Sequence, residues 1–171
     1  MSTSEAVIVR PAQSADMARV TAIYRHHVLH GTATFDIEPP DEAYLSGKFA
    51  ALQRQGFPVM VAERDALIIG YAYAAPFRER AAYAGTCEDS IYVDPAHHRR
   101  GAGRALLGAV IDQSRSQGLH EMIAVIGGAE PASIALHASL GFRHAGRLHR
   151  VGHKFGRWLD IVMMQRALAT P

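Results

Sequence analysis

Two histidines and two arginines run into a glycine pair at His97-His98-Arg99-Arg100-Gly101-Ala102-Gly103, and Arg104-Ala-Leu-Leu107 then begins an apolar helical pattern. A helix start carries unbonded backbone N–H groups and the positive end of the helix dipole, so it holds a phosphate when the backbone can come close. Glycines lack the Cβ that would block this approach, and Arg99, Arg100 and Arg104 would add charge-assisted bonds. Neither Gly-x-x-x-x-Gly-Lys-Ser/Thr nor Gly-x-Gly-x-x-Gly is present, so a nucleotide triphosphate loop and a dinucleotide fingerprint are both set aside. Taken alone, the stretch reads equally as a tight turn beside a solvated basic helix start. A second cluster, His26-His27 with His30, places two rings one helical turn apart, but without acidic or cysteine company no metal is expected there.

The elements that must position these residues follow from periodicity and turn chemistry. Ala6 to Pro11 is a short β-branched run closed by proline, and Asp16 to Leu29 carries Met17, Val20, Ile23, Tyr24 and Val28 at helical spacing. The loop Thr32-Ala-Thr-Phe-Asp36 leads to Pro39-Pro40, and Asp41 caps a second helix that runs to about Gln55. Pro58 to Glu63 and Leu67 to Ala75, split by Arg64-Asp65, have the pattern of a hairpin, and an Arg- and Ala-rich loop spans Pro76 to Gly85. Ser90 to Val93 is a strand ended by Asp94-Pro95, and Gly103 to Gln117 is an amphipathic helix with Leu106, Leu107, Val110 and Ile111 inward, stopped by Gly118. Met122 to Ile126 is a buried strand, and Pro131 opens a short helix to Leu140 with Gly141 as its C-terminal cap. Strands near Arg143 to Val151 and Trp158 to Gln165 flank the turn His153-Lys-Phe-Gly156. Strands alternate with helices in part and follow one another in part, which predicts an α/β (α+β) fold with a mixed sheet, in one domain over residues 1–171.

Composition narrows the function classes. The 171 residues are 49% hydrophobic, enough to bury a core, and carry a formal charge of +2 with 18 basic residues interleaved among 16 acids. Nucleic acid is therefore not the expected partner, although a local anion site is compatible. A single cysteine, Cys87, excludes an intramolecular disulfide and a thiolate-rich zinc site, which suits a reducing, cytoplasmic setting. Cys87 alternates with Glu88 and so faces the other side of its strand, reading as an inert buried thiol. Met1-Ser-Thr-Ser-Glu-Ala6 lacks a secretory pattern, and no apolar run approaches the ~20 residues a bilayer span needs, so neither secretion nor membrane insertion is expected.

Ser90-Ile-Tyr-Val-Asp-Pro95, then His98-x-x-Gly-x-Gly103 and an amphipathic helix, resembles the acetyl-coenzyme A signature of the GNAT superfamily of N-acetyltransferases, Gln/Arg-x-x-Gly-x-Gly/Ala, with His98 in the place of Gln or Arg. Ala132-Ser-Ile-Ala-Leu-His137-Ala-Ser-Leu-Gly-Phe142 is similar to the second coenzyme-side motif, and the resemblance extends over essentially the whole chain. It implies the GNAT fold: a mixed, mostly antiparallel sheet of about seven strands, splayed at the acetyl-CoA site and flanked by about four helices. Within the superfamily, Tyr83-x-x-Thr86-x-Glu88-x-Ser90-Ile-Tyr-Val93, Thr34-Phe35, His137 and Lys154-Phe-Gly-Arg-Trp-Leu-Asp160 resemble the phosphinothricin and methionine sulfoximine acetyltransferases. Those enzymes acetylate the α-amino group of small amino-acid analogues, herbicide-like compounds included, and commonly form homodimers with the pocket near the subunit interface.

The resemblance implies a role for each residue. Acetyl transfer to an amine requires removal of a proton, attack on the thioester and stabilisation of an oxyanion. Glu88 is implied as general base through a water, the Val93 N–H as oxyanion donor, and His137 as proton donor to the departing thiolate. Glu88 also reads as a solvated strand-end carboxylate, and His137 as a packed helix histidine. The coenzyme side would comprise Ile91, Tyr92 and Val93 by main chain, Arg99, Arg100, Gly101, Ala102, Gly103 and Arg104 at the phosphates, and Ser133. Glu130 stands where relatives commonly carry Asn, and Ala138 where they carry Glu, so an amide donor is missing from the cofactor side. The acceptor side would comprise Thr34 and Phe35 as a wall, Arg78 and Arg80 with Glu79 between them, Tyr83, Thr86, Glu88, Asp89 and Ser90. A guanidinium fork at Arg78 or Arg80 suits a substrate carboxylate, although both also read as a solvated loop pair, and Phe35 also reads as simple packing. A polyamine, peptide or protein N-terminus as acceptor, and a non-catalytic CoA-binding module, are the competing readings.

Overall fold

The computed structural model describes residues 6–169, and the targeting pattern sought in Met1 to Glu5 lies outside them. Seven strands, β1 (Ile8–Pro11), β2 (Val59–Arg64), β3 (Leu67–Pro76), β4 (Thr86–Val93), β5 (Glu121–Gly127), β6 (Arg143–Lys154) and β7 (Arg157–Ala167), form one sheet in the order β1-β2-β3-β4-β5-β7-β6. Four α-helices accompany them: α1 (Met17–His30), α2 (Glu42–Arg54), α3 (Ala102–Ser116) and α4 (Pro131–Ser139). Among the described residues only β4 and β5 pair in parallel, so the sheet is mixed and mostly antiparallel as expected.

Local chemistry accounts for the element ends. The Asp41 side chain accepts from the Tyr44 N–H at 2.8 Å and starts α2. The turn between β2 and β3 falls one residue later than the pattern indicates, at Asp65 and Ala66, whose φ values of 52° and 58° suit a two-residue hairpin turn. Strand β4 begins at Thr86, before the Ser90-to-Val93 run that the pattern marks most clearly, and includes Cys87 and Glu88 on opposite faces. Those residues are held extended because β3 and β5 bond to both of their edges.

Helices cover both faces of the sheet. On one face Val20 and Ile23 of α1 and Leu45 and Phe49 of α2 bury Val61, Tyr71, Tyr73 and Tyr92. On the other, Leu106, Leu107, Val110 and Ile111 of α3 pack with Ala72, Cys87, Met122, Ala124 and Phe142. Alternation along β4 therefore sends Tyr92 toward α1 and α2, and Cys87 toward α3. Burial pushes the Cys87 thiol up to about 12, which makes it the inert group its position suggested.

The feature that positions the site is a fork between β4 and β5. Their pairing runs from Thr86 opposite Glu121 to Asp89 opposite Ala124 and stops there. Beyond it β4 stays with β3 through Val93, while β5 stays with β7 through Gly127.

Candidate active site

The fork leaves backbone groups of β4 without a neighbouring strand. Phe77 donates its N–H to Thr86 O, and Asp94 donates its N–H to Ile69 O. In an antiparallel ladder bonded residues alternate, so the even-numbered residues of β4 bond to β3, and Ile91 and Val93 turn their N–H and C=O groups toward the gap. The Val93 carbonyl accepts from His27 Nε2 at 2.9 Å and from His98 Nε2 at 3.0 Å. A carbonyl only accepts, so both rings carry a proton on Nε2. The N–H and C=O of Ile91 and the N–H of Val93 are left facing a cleft lined by Asp89 to Tyr92 on one strand and Ala124 to Gly127 on the other, with Ser133 and His137 of α4. An extended chain of amides fits such a gap as a further strand would.

The basic loop stands at the open end of that cleft. Arg99 and Gly101 adopt left-handed φ values of 59° and 84°, and α3 starts at Ala102, one residue before the expected Gly103. The first intrahelical bond runs from Ala105 N to Gly101 O, so the N–H groups of Ala102, Gly103 and Arg104 are free of partners within the helix. The two glycines differ in purpose. A Cβ at Gly101 would meet open space, and it is the backbone conformation that calls for glycine, whereas Gly103 packs closely on Leu136 of α4. Arg99 and Arg100 are exposed, while Arg104 departs from its expected place on a phosphate: its guanidinium donates to Ser139 Oγ at 2.8 Å and ties α3 to α4. Glu130 is exposed and caps α4 only through its backbone carbonyl, which accepts from Ile134 N.

Glu88 and Asp89, adjacent in sequence, enter different environments. Glu88 points away from α3, with the Arg78 guanidinium 3.8 Å from its carboxylate. Burial raises its pKa above the ordinary carboxylate value, Arg78 and Lys48 pull it back, and the neighbouring Asp89 adds to the rise. Arg78 stacks 4.1 Å above the Phe77 ring, whose other neighbour is the edge of Tyr83 at 5.7 Å, so Phe77 orders both candidate acceptor residues. Arg80 and Glu79 are exposed in the same loop, and Thr86 and Ser90 are half-buried along β4. Thr34 is buried, bonded to Tyr24 Oη at 2.9 Å. Phe35 rests against Gly152, where a Cβ would collide with its ring, and lies close to Gly127, while remaining 36% exposed.

Asp89 departs from its expected place on the acceptor side. It turns to the α4 face, where its Oδ2 lies 3.0 Å from His137 Nε2 and both side chains are 2% exposed. His137 Nδ1 lies 2.8 Å from the Ser133 carbonyl, so each ring nitrogen already faces an acceptor. Burial lowers the His137 pKa, but the Asp89 bond and charge together with the Ser133 carbonyl outweigh it, and the net direction is up. Both nitrogens of His137 thus face acceptors, as the packed-histidine reading allows, and direct proton donation to a thiolate would require one of these bonds to break.

Three further side chains bear on the site in ways that the sequence did not assign to them. Lys48 of α2 bonds Tyr73 Oη at 3.0 Å and bears on the charge of Glu88. His27, considered only for metal, orients the end of β4. Lys154, seen only as part of a family segment, is buried and donates to Gly31 O at 2.9 Å and Thr34 O at 2.8 Å, clamping the loop that carries Phe35. A lysine among helical apolar residues has no sequence mark that separates it from a solvated one, so only Lys154, inside the family segment, could have been found.

Residues 9–163 match the family described as Acetyltransferase (GNAT) domain. The chain belongs to the GNAT acetyltransferase family. It is similar to a phosphinothricin N-acetyltransferase of Alcaligenes faecalis, 44% identical over 95% of this chain and 83% of the relative. It is also similar to an L-methionine sulfoximine/L-methionine sulfone acetyltransferase of Salmonella typhimurium, 42% identical over 94% of each. Among solved structures, a GNAT phosphinothricin acetyltransferase from Sinorhizobium meliloti in complex with AcCoA superposes with a TM-score of 0.92 at 45% identity, covering 94% of this chain and 88% of that one. The family assignment and the forked sheet agree: the GNAT fold expected from the resemblance is the fold observed.

The left-handed conformation at Gly101 yields a prediction. Gly101→Val forces a β-branched residue to a φ of 84° and closes the free helix start, so the apparent KM for acetyl-CoA should rise about tenfold while that for the amine stays constant. Steady-state kinetics with each substrate varied in turn checks it, and an equal rise in both constants would assign the loop a structural role only.

Proposed function

We propose that the protein transfers acetyl from acetyl-CoA to the α-amino group of a small amino acid or analogue of the phosphinothricin and methionine sulfoximine type, acting as one catalytic domain. The observation that carries this reading is the carboxylate of Glu88, raised in pKa at the base of the fork and faced by Arg78. The names of the Alcaligenes and Salmonella relatives support the acceptor class.

The residues divide the reaction among them. Arg78 holds the substrate carboxylate, with Arg80 and Glu79 at the rim of the same loop and Tyr83 beside it, and Phe35 and Thr34 wall the side chain. Glu88, directly or through a water, takes a proton from the ammonium so that the amine lone pair attacks the thioester carbonyl carbon. The Val93 N–H stabilises the oxyanion that forms, and Ile91 fixes the pantetheine arm by main-chain bonds. Collapse of the adduct breaks the C–S bond, the thiolate leaves and is neutralised by the proton that the attacking nitrogen gives up, and the neutral amide product carries the acetyl group. The N–H groups of Ala102 and Gly103 and the side chains of Arg99 and Arg100 hold the pyrophosphate. A substrate such as phosphinothricin loses its free amine in this reaction, the chemistry of herbicide resistance.

We further propose a homodimer formed through the β6–β7 hairpin. Strand β6 is the edge of the sheet, and Leu148, Val151, Phe155 and Trp158 are 45%, 50%, 53% and 56% exposed on that hairpin. Its end is joined to the Phe35 loop by Lys154, so the dimer contact would adjoin the acceptor pocket. The single cysteine, buried and unreactive, suits a cytoplasmic setting.

Four outcomes test these readings. Glu88→Gln should lower kcat about 10²–10⁴-fold. In the wild type kcat/KM for methionine sulfone should fall as pH drops through the raised Glu88 pKa, because the protonated carboxyl cannot accept, and the Gln variant should lose that limb. Arg78→Ala should raise the amino-acid KM about 10–100-fold, the loss of a charge-assisted pair, while a polyamine acceptor would be indifferent. Val151→Asp combined with Trp158→Ser should convert a dimer to a monomer in analytical ultracentrifugation, and a wild-type monomer would overturn the interface.

A further inference from the structure

The buried Asp89–His137 pair has one oxygen left over. Asp89 is the last residue of β4 that pairs with β5, so its side chain stands at the crotch of the fork and lines the cleft. Its Oδ2 bonds His137, whereas Oδ1 is buried and has no hydrogen-bond partner among the described residues. A buried acceptor without a donor is costly to keep, on the order of 1–3 kcal/mol and more for a charged group, and a residue 6% exposed cannot recover that from solvent. His137 cannot turn to serve it, because its other nitrogen is bonded to Ser133 O and its ring is packed edge-on against Phe142 at 4.9 Å. The donor must come from whatever fills the cleft.

We propose that Asp89 is a cofactor-binding residue: its Oδ1 accepts a hydrogen bond from an amide N–H of the acetyl-CoA arm, while His137 holds the carboxylate in place from behind. The proposal rests on the acetyltransferase reading. The arm of coenzyme A carries two amides, each with an N–H that loses water on entering the gap. The cleft offers the Ile91 carbonyl from the strand backbone, and Asp89 supplies a second acceptor, at the point where strand pairing ends. His137 is then a positioning residue rather than an acid: it acts through Asp89, and a proton on each ring nitrogen matches the acceptor each one faces. The arrangement assigns the two carboxylates of Glu88-Asp89 to opposite sides of β4, one to the acceptor amine and one to the donor arm.

The variants Asp89→Ala and Asp89→Asn separate this role from a merely structural brace. Asn keeps a carbonyl for the His137 Nε2–H but turns an NH₂ donor toward the cleft, where an acceptor is needed. Calorimetric titration with CoA should show both variants binding about tenfold or more weakly than the wild type, with the amine KM unchanged and melting temperature reporting the fold. Restoration of wild-type CoA affinity by Asn, or undiminished affinity in the Ala variant, overturns the proposal. A CoA analogue with ester oxygens in place of the arm amide nitrogens tests the wild-type protein directly. It should lose about tenfold or more affinity relative to CoA, a loss larger in the wild type than in Asp89→Ala, and an equal loss in both proteins overturns the proposal. Failure of the wild type to bind CoA at all would instead remove the acetyltransferase reading on which the proposal stands.

Discussion

Two neighbouring parallel strands that part company inside a sheet are the constraint on which this structure depends. Where β4 and β5 cease to pair after Asp89 and Ala124, main-chain groups at Ile91 and Val93 lose the partners a regular sheet would supply. Unbonded amides in an interior are expensive, so the gap survives only because each strand is held on its far edge, β4 by β3 and β5 by β7, and because helices seal both faces. The acyl donor of the GNAT family and the gap are complementary in the same currency of amide hydrogen bonds. Helix α3 begins just beyond the tip of β4, which brings its free N–H groups to the end of the cleft where phosphates would lie.

The period-two geometry of β4 then divides the chemistry. Glu88 shares its face with Tyr92 and looks toward α1, α2 and the Arg78 loop, while Asp89 shares its face with Cys87 and looks toward α4. Two adjacent carboxylates thereby meet unlike surroundings, one beside exposed guanidinium and one sealed against an imidazole. Long-range clamps keep the surroundings in place: Lys154 from β6 grips the carbonyls of the loop after α1, and His27 and His98 converge on the Val93 carbonyl.

Much of the fold was legible because its signals are local. The Asp41 cap, the Leu106-Leu107-Val110-Ile111 stripe, the glycine after α3 and the proline that opens α4 each act within a turn of chain, and each element formed where its signal stood. The first half of β4 was legible only in the alternation of Cys87 and Glu88, not in its extent. Thr86-Cys-Glu-Asp has weak strand character, and its conformation is imposed by two neighbours distant in sequence. Glu88, Arg78, Phe35 and the Gly101 loop were singled out as candidates by their resemblance to known relatives, whereas the partner of Asp89 was not foreseen. A contact between residues forty-eight positions apart leaves no periodic trace.

The sequence by itself determined the class of fold and the opposed faces of Cys87 and Glu88, because these rest on periodicity and short-range spacing, and its resemblance to known relatives pointed to the acetyltransferase family. Only the tertiary structure decided which surroundings each of the adjacent acids Glu88 and Asp89 meets, that Arg104 binds Ser139, and that both nitrogens of His137 are occupied. Those outcomes are set by which side chains meet across the sheet and its helices. Where burial excludes water, an acceptor or donor is defined by its neighbours and not by its residue type.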